Sequence, residues 1–309
     1  MVDGRIEALI DNVEKVIVGK REVIELVISA MLAGGHVLVE DVPGVGKTQM
    51  VSSIANSCGG IFGRIQMTPD IMPSDITGFT MIDQVTHQNE FRKGAAFCNF
   101  LLADELNRSS PKSQSALLEI MEEGQVSMDS VTYPLPKPFM VIATQNPVET
   151  FGTYHLPEAQ MDRFLMKISI GYPSNSEEMD ILGRNEQRIE PKNLSKVISL
   201  DDIIELSDAV SGVKCSEKIK EYIISIVDAS RHVDYITLPV SPRGSIALYR
   251  VSKAYAMVKG RDYVLPDDVK FLAPYVLSHR IILSSKGKSM VKNAEGAITQ
   301  LLCSVEVPV

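Results

Sequence analysis

Tryptophan is absent from the 309 residues and aromatic side chains make up only 6% of them, which leaves little material for the stacking platforms that single-strand nucleic-acid binders present to bases. Positive charge is also short. Lys and Arg number 31 against 39 Asp and Glu, a net charge of -8, so no chain-wide attraction draws the molecule to nucleic acid or anionic lipid. A nucleic-acid partner would need a local basic channel. The four cysteines, Cys58, Cys98, Cys215 and Cys303, are far apart, and no pair has the spacing of a zinc ribbon, a redox centre or a disulfide framework. They read as buried or idle thiols. The five histidines, at 36, 87, 155, 232 and 279, likewise lack metal-ligand spacing and are expected to be structural. No apolar run approaches the ~20 residues of a membrane span, and Met1 to Asp11 carries acids where a signal peptide is basic. A cytoplasmic protein is the expectation.

What is present is ordinary globular material, 45% hydrophobic and 23% charged, enough for one large and one smaller domain. Apolar residues recur at helical intervals from Arg5 to Lys20 and again from Glu22 to Ala33. Strand-type runs follow at His36 to Glu40, Ile61 to Met67, Asn99 to Ala103, Phe139 to Thr144 and Phe164 to Ile170, with helices at Thr48 to Ser57 and Ser113 to Glu123 between them. Short apolar strands alternating with helices predict a mostly parallel sheet covered on both faces. Beyond "GYPSN", Gly171 to Asn175, strand patterns nearly vanish. Helical periodicity takes over through Ile181 to Arg188, Leu200 to Val210, Glu217 to Ser230, Gly244 to Lys259 and Asp267 to Ser278. The fold class is therefore α/β, a core over 1–172 followed by a smaller all-helical domain over 173–309.

The stretch "HVLVEDVPGVGKTQM" joins a strand to a helix through a glycine-rich turn. Unpaired amides at a helix N-terminus and the helix dipole together favour an anion. Lys47 adds a charge for the β- and γ-phosphates, Gly44 and Gly46 let the backbone approach closely, and Thr48 offers a hydroxyl to Mg²⁺. Asp41 stands where the G-x-x-x-x-G-K-[ST] pattern has glycine, and is expected to turn away from the phosphates. No N-K-x-D motif follows, which favours ATP over GTP. "NFLLADELNRSS" then supplies an apolar strand ending in Asp104, suited to the metal's water shell, and Glu105, suited to polarising the attacking water. A solvated acidic loop is the plainer alternative for an isolated Asp-Glu pair. The strand ending "VIATQNP" puts Asn146 where it could orient that water, although Asn-Pro is also simply a good turn.

These three elements in order resemble an AAA+ ATPase. The stretches "RIQMTPDIMPSDITG", "FLLADELNRSSPKSQSALLEIMEEGQV", "FMVIATQNPVETFGTYHLPEAQMDRF" and "SPRGSIAL" resemble the MoxR family of that class. The resemblance implies a P-loop core and a helical lid, with the phosphate-binding motif over Asp41, Val42, Pro43, Gly44, Val45, Gly46, Lys47 and Thr48, extended to Gln49. It implies Asp104 and Glu105 as the metal and water acids, and Asn146 as the first sensor. Arg163 in "QMDRF" is implied as an arginine finger reaching a neighbouring subunit, and Arg243 in "SPRG" as the second sensor, on the lid. Val18 and Gly19 in "VIVGK" fall where the family contacts adenine. An insertion within Pro69 to Phe97 and a hairpin around Gln125 to Pro138 are further family features. "TLPVSPRG" departs from the family's usual Gly-Ala before Ser-Pro-Arg.

By the same resemblance the cofactors are ATP and Mg²⁺, and the expected assembly is a homo-oligomeric, hexameric ring that remodels a protein client, with a von Willebrand A domain protein as a further partner. Two alternatives belong to related motors: a chelatase-type subunit and a nucleic-acid motor of the helicase branch. A third is a nucleotide switch that does not hydrolyse.

Overall fold

The computed structural model describes residues 4–82, 84, 87–147, 153–186 and 189–308. Two sequence expectations fall outside them: part of the "ATQNPVETFG" stretch, at 148–152, and the helix end placed at Arg188. The first region contains strands β1 (Val37–Glu40), β2 (Phe62–Gln66), β3 (Gly78–Ile82), β4 (Asn89–Lys93), β5 (Phe100–Asp104), β6 (Gln125–Met128), β7 (Val131–Pro134), β8 (Met140–Gln145) and β9 (Met166–Ile168). Its helices are α1 (Gly4–Glu14), α2 (Arg21–Leu32), α3 (Lys47–Cys58), α4 (Pro73–Thr77), α5 (Pro111–Glu123) and α6 (Glu158–Met161).

The central sheet has five strands in the order β2-β5-β8-β1-β9, and every pairing in it is parallel. Both faces are covered over the inner strands β1, β5 and β8, which is why these read as continuous apolar runs. Val37, Val39, Phe100, Leu102, Met140 and Ile142 pack towards α1, α2, α3 and the second region. The alternate residues Leu38, Leu101, Ala103, Val141 and Ala143 pack towards α5. Period-2 side-chain alternation thus feeds two cores. The inner strands β5 and β8 are buried up to their last residues, Asp104 and Gln145, which emerge at the C-terminal edge. That edge is where chemistry collects in parallel sheets.

Two antiparallel hairpins leave this frame, β3-β4 and β6-β7, inside the two windows the family resemblance points to. Phe91 stacks on Tyr133 with ring centroids 4.0 Å apart, which joins them. Phe79, Met81 and Ile82 remain exposed on the first.

The second region holds α7 (Asn175–Glu186), α8 (Leu200–Ala209), α9 (Glu217–Ala229), α10 (Pro242–Val258), α11 (Pro266–Leu277), α12 (Ser285–Met290) and α13 (Ala294–Ser304). It also carries one short ribbon, β10 (Ile236–Leu238) antiparallel to β11 (Ile282–Leu283). The last two helices escaped the sequence reading. Side-chain caps start both: Ser284 accepts from the Gly287 amide, and Asn293 from the Gly296 amide. The first helix ends at Glu14 rather than Lys20, because Arg184 takes the carbonyls of Glu14 (2.5 Å) and Lys15 (2.6 Å). Gly19 then turns the chain at a φ of 68°.

Candidate active site at the sheet edge and a second arginine cavity

Between β1 and α3 the chain makes a turn that L-side chains would resist, since Gly44 and Gly46 sit at φ 89° and 90°. Lys47, the first helical residue, folds back so that its Nζ donates to the carbonyl of Asp41 at 2.8 Å. Half-burial lowers the ammonium pKa, and the nearby carboxylates of Asp41, Asp104 and Glu105 oppose that shift. Asp41 does turn away. Its buried carboxylate accepts from Ser169 Oγ (3.0 Å) and from the amides of Ile170 and Gly171, tying the end of β1 to the segment after β9. The carboxylate therefore serves the fold, and the carbonyl steadies the lysine.

A cleft of ≈ 520 Å³ opens beside this turn, and Lys47, Thr48, Asp104, Glu105 and Asn146 all line it. The two acids are aimed differently by one hydroxyl. Thr144 Oγ1 donates to Asp104 Oδ1 (2.7 Å) and accepts the Glu105 amide (2.8 Å). Glu105 consequently sits at φ 57°, a left-handed conformation that costs a non-glycine residue on the order of 1 kcal/mol. Its carboxylate accepts from Gln66 Nε2 at 2.7 Å and pairs with Arg108 at 3.0 Å. Asp104 pairs with Arg64 at 2.8 Å. Thr48 and Asp104 offer only oxygen donors, a set suited to a hard cation that keeps water and phosphate ligands. Among the described residues no cluster of three or more His, Cys, Asp or Glu side chains forms a metal cage.

A second cleft of ≈ 630 Å³ shares Gly44, Gly46 and Gln49 with the first, and is walled by Val18, Val45, Ile189 and Pro191. The polar cleft thus continues into one whose walls mix the apolar Val18, Val45, Ile189 and Pro191 with the charged Lys20, Arg184, Glu190 and Lys192, a setting that can take a base beside its phosphates. Pro43 lines the first cleft. Gly19, Asp41 and Val42 line neither cleft.

Arg163 and Arg243 are elsewhere. They meet in a third cavity, of ≈ 330 Å³, whose lining includes Gly34, Gly35 and His36. Those residues precede β1, whereas the phosphate loop follows it. At ~3.3 Å per residue, Gly35 and Asp41 are ~20 Å apart along the strand. Arg163 donates to the carbonyl of Leu118 at 2.9 Å and pairs with Glu122 at 3.3 Å, while Arg243 reaches the other oxygen of Glu122 at 3.1 Å. Beside them the buried Arg280 grips the turn that carries Arg163. It donates to Asp162 Oδ1 and to the carbonyls of Asp162 (2.8 Å) and Phe164 (2.6 Å). His36 is buried under the cavity as a neutral ring, its Nδ1 accepting from the Val141 amide and its Nε2 donating to the Met121 carbonyl. Burial pushes its pKa down to about 4.

The sequence reading overlooked Arg64, Gln66, Arg108, Glu122 and Arg280. For Arg64 and Gln66 a signal existed: they flank buried Ile65 on β2 and so share a strand face. For Glu122 and Arg280 none did, because their ion-pair partners lie 41 to 121 residues away.

A parallel sheet in this order, a glycine turn from β1 into a helix, and acids at the end of β5, with β8 between the two strands, define the P-loop ATPases of the AAA+ class. The model of the ATPase family associated with various cellular activities matches residues 36–166, and the AAA lid domain model matches 228–300. Chaperone MoxR1 of Mycobacterium tuberculosis is 39% identical over 312 residues, 98% of this chain and 82% of that one. YeaC of Bacillus subtilis is 50% identical over 300 residues, covering 97% and 94%. A crystal structure of a candidate ATPase from Cytophaga hutchinsonii superposes with a TM-score of 0.91 at 41% identity, over 99% of this chain and 96% of that one. The chain belongs to the MoxR family of AAA+ ATPases. Likeness to magnesium-chelatase subunits and to midasin is distant. No helix among the described residues is long and apolar enough to cross a membrane.

Proposed function

We propose that the chain hydrolyses ATP to ADP and phosphate at a site shared between two copies, in a ring expected to be hexameric, and uses the cycle to remodel a protein client. In this reading residues 1–172 are the core and 173–309 the lid. The amides of the glycine turn and Lys47 bind the phosphates, and the apolar cleft at Val18 takes the base. Thr48 and Asp104 hold Mg²⁺, which when bound neutralises charge on the β- and γ-oxygens. Glu105 polarises the attacking water and Asn146 orients it. Arg163 and Arg243 act on the neighbouring copy's nucleotide.

The observation that carries this reading is the placement of the two arginines at the opposite end of β1 from the phosphate loop. They are out of reach of their own phosphates. A chaperone role is brought from the named relative, and the apolar side chains exposed on the β3-β4 hairpin suit a protein client. A von Willebrand A domain partner is a family expectation.

The test is turnover against protein concentration. Hydrolysis per subunit should fall on dilution, and Arg163→Ala should lower it by ~10³-fold or more while nucleotide affinity stays within about threefold. A monomer that turns over ATP equally fast at every dilution would refute the shared site.

A further inference from the structure

Glu122 stands at the C-terminal end of α5 with a different guanidinium on each carboxylate oxygen, Arg163 from the core and Arg243 from the lid. Among the described residues neither arginine has another carboxylate within ion-pair distance. The other acid of the cavity, Asp162, is held by Arg280 and by Ser241 Oγ at 3.2 Å. Without Glu122, two like charges would face each other across a cavity that also contains Arg250 and Arg280, and the half-exposed Arg243 would swing into solvent. A carboxylate also presents two oxygens at nearly the separation of two oxygens on a phosphoryl group, which is why guanidinium forks match both. Each guanidinium has several N–H donors, so holding Glu122 leaves others to point outward.

We infer that Glu122 is a positioning residue that binds Arg163 and Arg243 into one pair, spaced for two oxygens of a single phosphoryl group on the neighbouring copy. The inference rests on the shared-site reading. It adds that core and lid arginines are delivered together, and that the carboxylate joining them acts only in the copy that donates them. Glu122 touches no substrate. Its effect runs through the geometry of the two guanidiniums, so it should change turnover and leave the KM for ATP alone.

Mixed assemblies separate the two roles of each copy. A donor chain carrying Glu105→Gln keeps its arginines and cannot turn over its own nucleotide. An acceptor chain carrying Arg163→Ala and Arg243→Ala keeps its phosphate loop and acids. Mixing the two should restore turnover that neither has alone. Adding Glu122→Gln to the donor should cut the restored kcat by roughly tenfold or more with KM within twofold, and Glu122→Asp should recover part of the loss. The same change in the acceptor, whose arginines are already gone, measures any purely structural effect and should cost less than about twofold. Equal losses in both arms, or no loss in the donor arm, would overturn the role given to Glu122. Failure of the parent mixture to regain turnover would overturn the shared site itself, before Glu122 is changed, and this proposal with it.

Discussion

Arg280→Met removes the side chain that locks the lid to the turn bearing Arg163. The residue is 5% exposed. Besides the Asp162 pair it donates from Nε to the Val276 carbonyl at 2.7 Å and from a terminal nitrogen to the Leu165 carbonyl at 3.3 Å. Burial and the nearby charge of Arg243 pull its pKa down, and Asp162 holds it up. Methionine fills much of the volume but leaves Asp162 charged, largely buried and deprived of its main partner. Breaking such a pair from one side costs ~3–5 kcal/mol. At ~2–4 °C per kcal/mol this lowers Tm on the order of 10 °C. Thermal unfolding followed by circular dichroism measures it, and a cycle with Asp162→Asn isolates the pair. The double variant should be more stable than additivity requires, by ~1–3 kcal/mol, since the second change removes the stranded charge. An Arg280→Met protein melting within about 2 °C of the wild type, or a strictly additive cycle, would show that the contact carries no weight.

Two further outcomes are expected. Restoring the motif glycine with Asp41→Gly deprives Ser169, Ile170 and Gly171 of their acceptor and should cost ~1–3 kcal/mol in urea unfolding; unchanged stability would contradict the role assigned to that carboxylate. His36 is neutral when folded, with a pKa near 4, whereas the unfolded chain protonates it near ~6.5. Its contribution is complete above that value and is lost as pH falls towards 4, about 2 kcal/mol at pH 5. His279, buried beside Arg280, shifts in the same direction. Urea midpoints at pH 7 and pH 5 should show the loss, diminished in a His36→Gln variant, and a midpoint that rises on acidification would be incompatible with it.

Strands β1, β5 and β8 were legible because each is apolar on both faces, and the helices because their buried stripes repeat at 3.6 residues. That Lys47, Thr48, Asp104 and Glu105 would line one cleft was legible too, since they lie at strand ends that the same periodicity marks. Their settings were not. That Asp41 would serve β9, or that Thr144 would aim both acids, depends on strand order, and β1, β5 and β8 are neighbours in space only because crossovers rearrange their sequence order. Arg163 illustrates the limit most clearly. Locally it is an arginine at a helix end, and its meaning follows from Leu118, Glu122 and Arg280, which no local window contains. The final two helices were missed for another reason: α12 is only 6 residues long, and α13 was not distinguished from the chain end.

In the shared-site reading proposed above, two anchorages would connect the nucleotide to the neighbouring copy. The apolar cleft is walled partly by the segment leading into the lid, through Arg184, Ile189 and Pro191, so a base seated there bears on the lid's connection. At the far end of β1, Arg280 fastens the lid to the turn holding Arg163, and Glu122 joins that arginine to Arg243 on the lid. Within one copy the phosphate cleft is lined by the cations Lys47 and Arg64, and Arg64 is engaged by Asp104. Charge developing on a transferring phosphoryl group calls for a further cation, and Arg163 and Arg243, the candidates proposed for it, line a different cavity. On that reading, nucleotide state in one copy would alter the arginines it offers to the next by moving lid and turn together, and a lid freed from Asp162 is expected to uncouple the two sites.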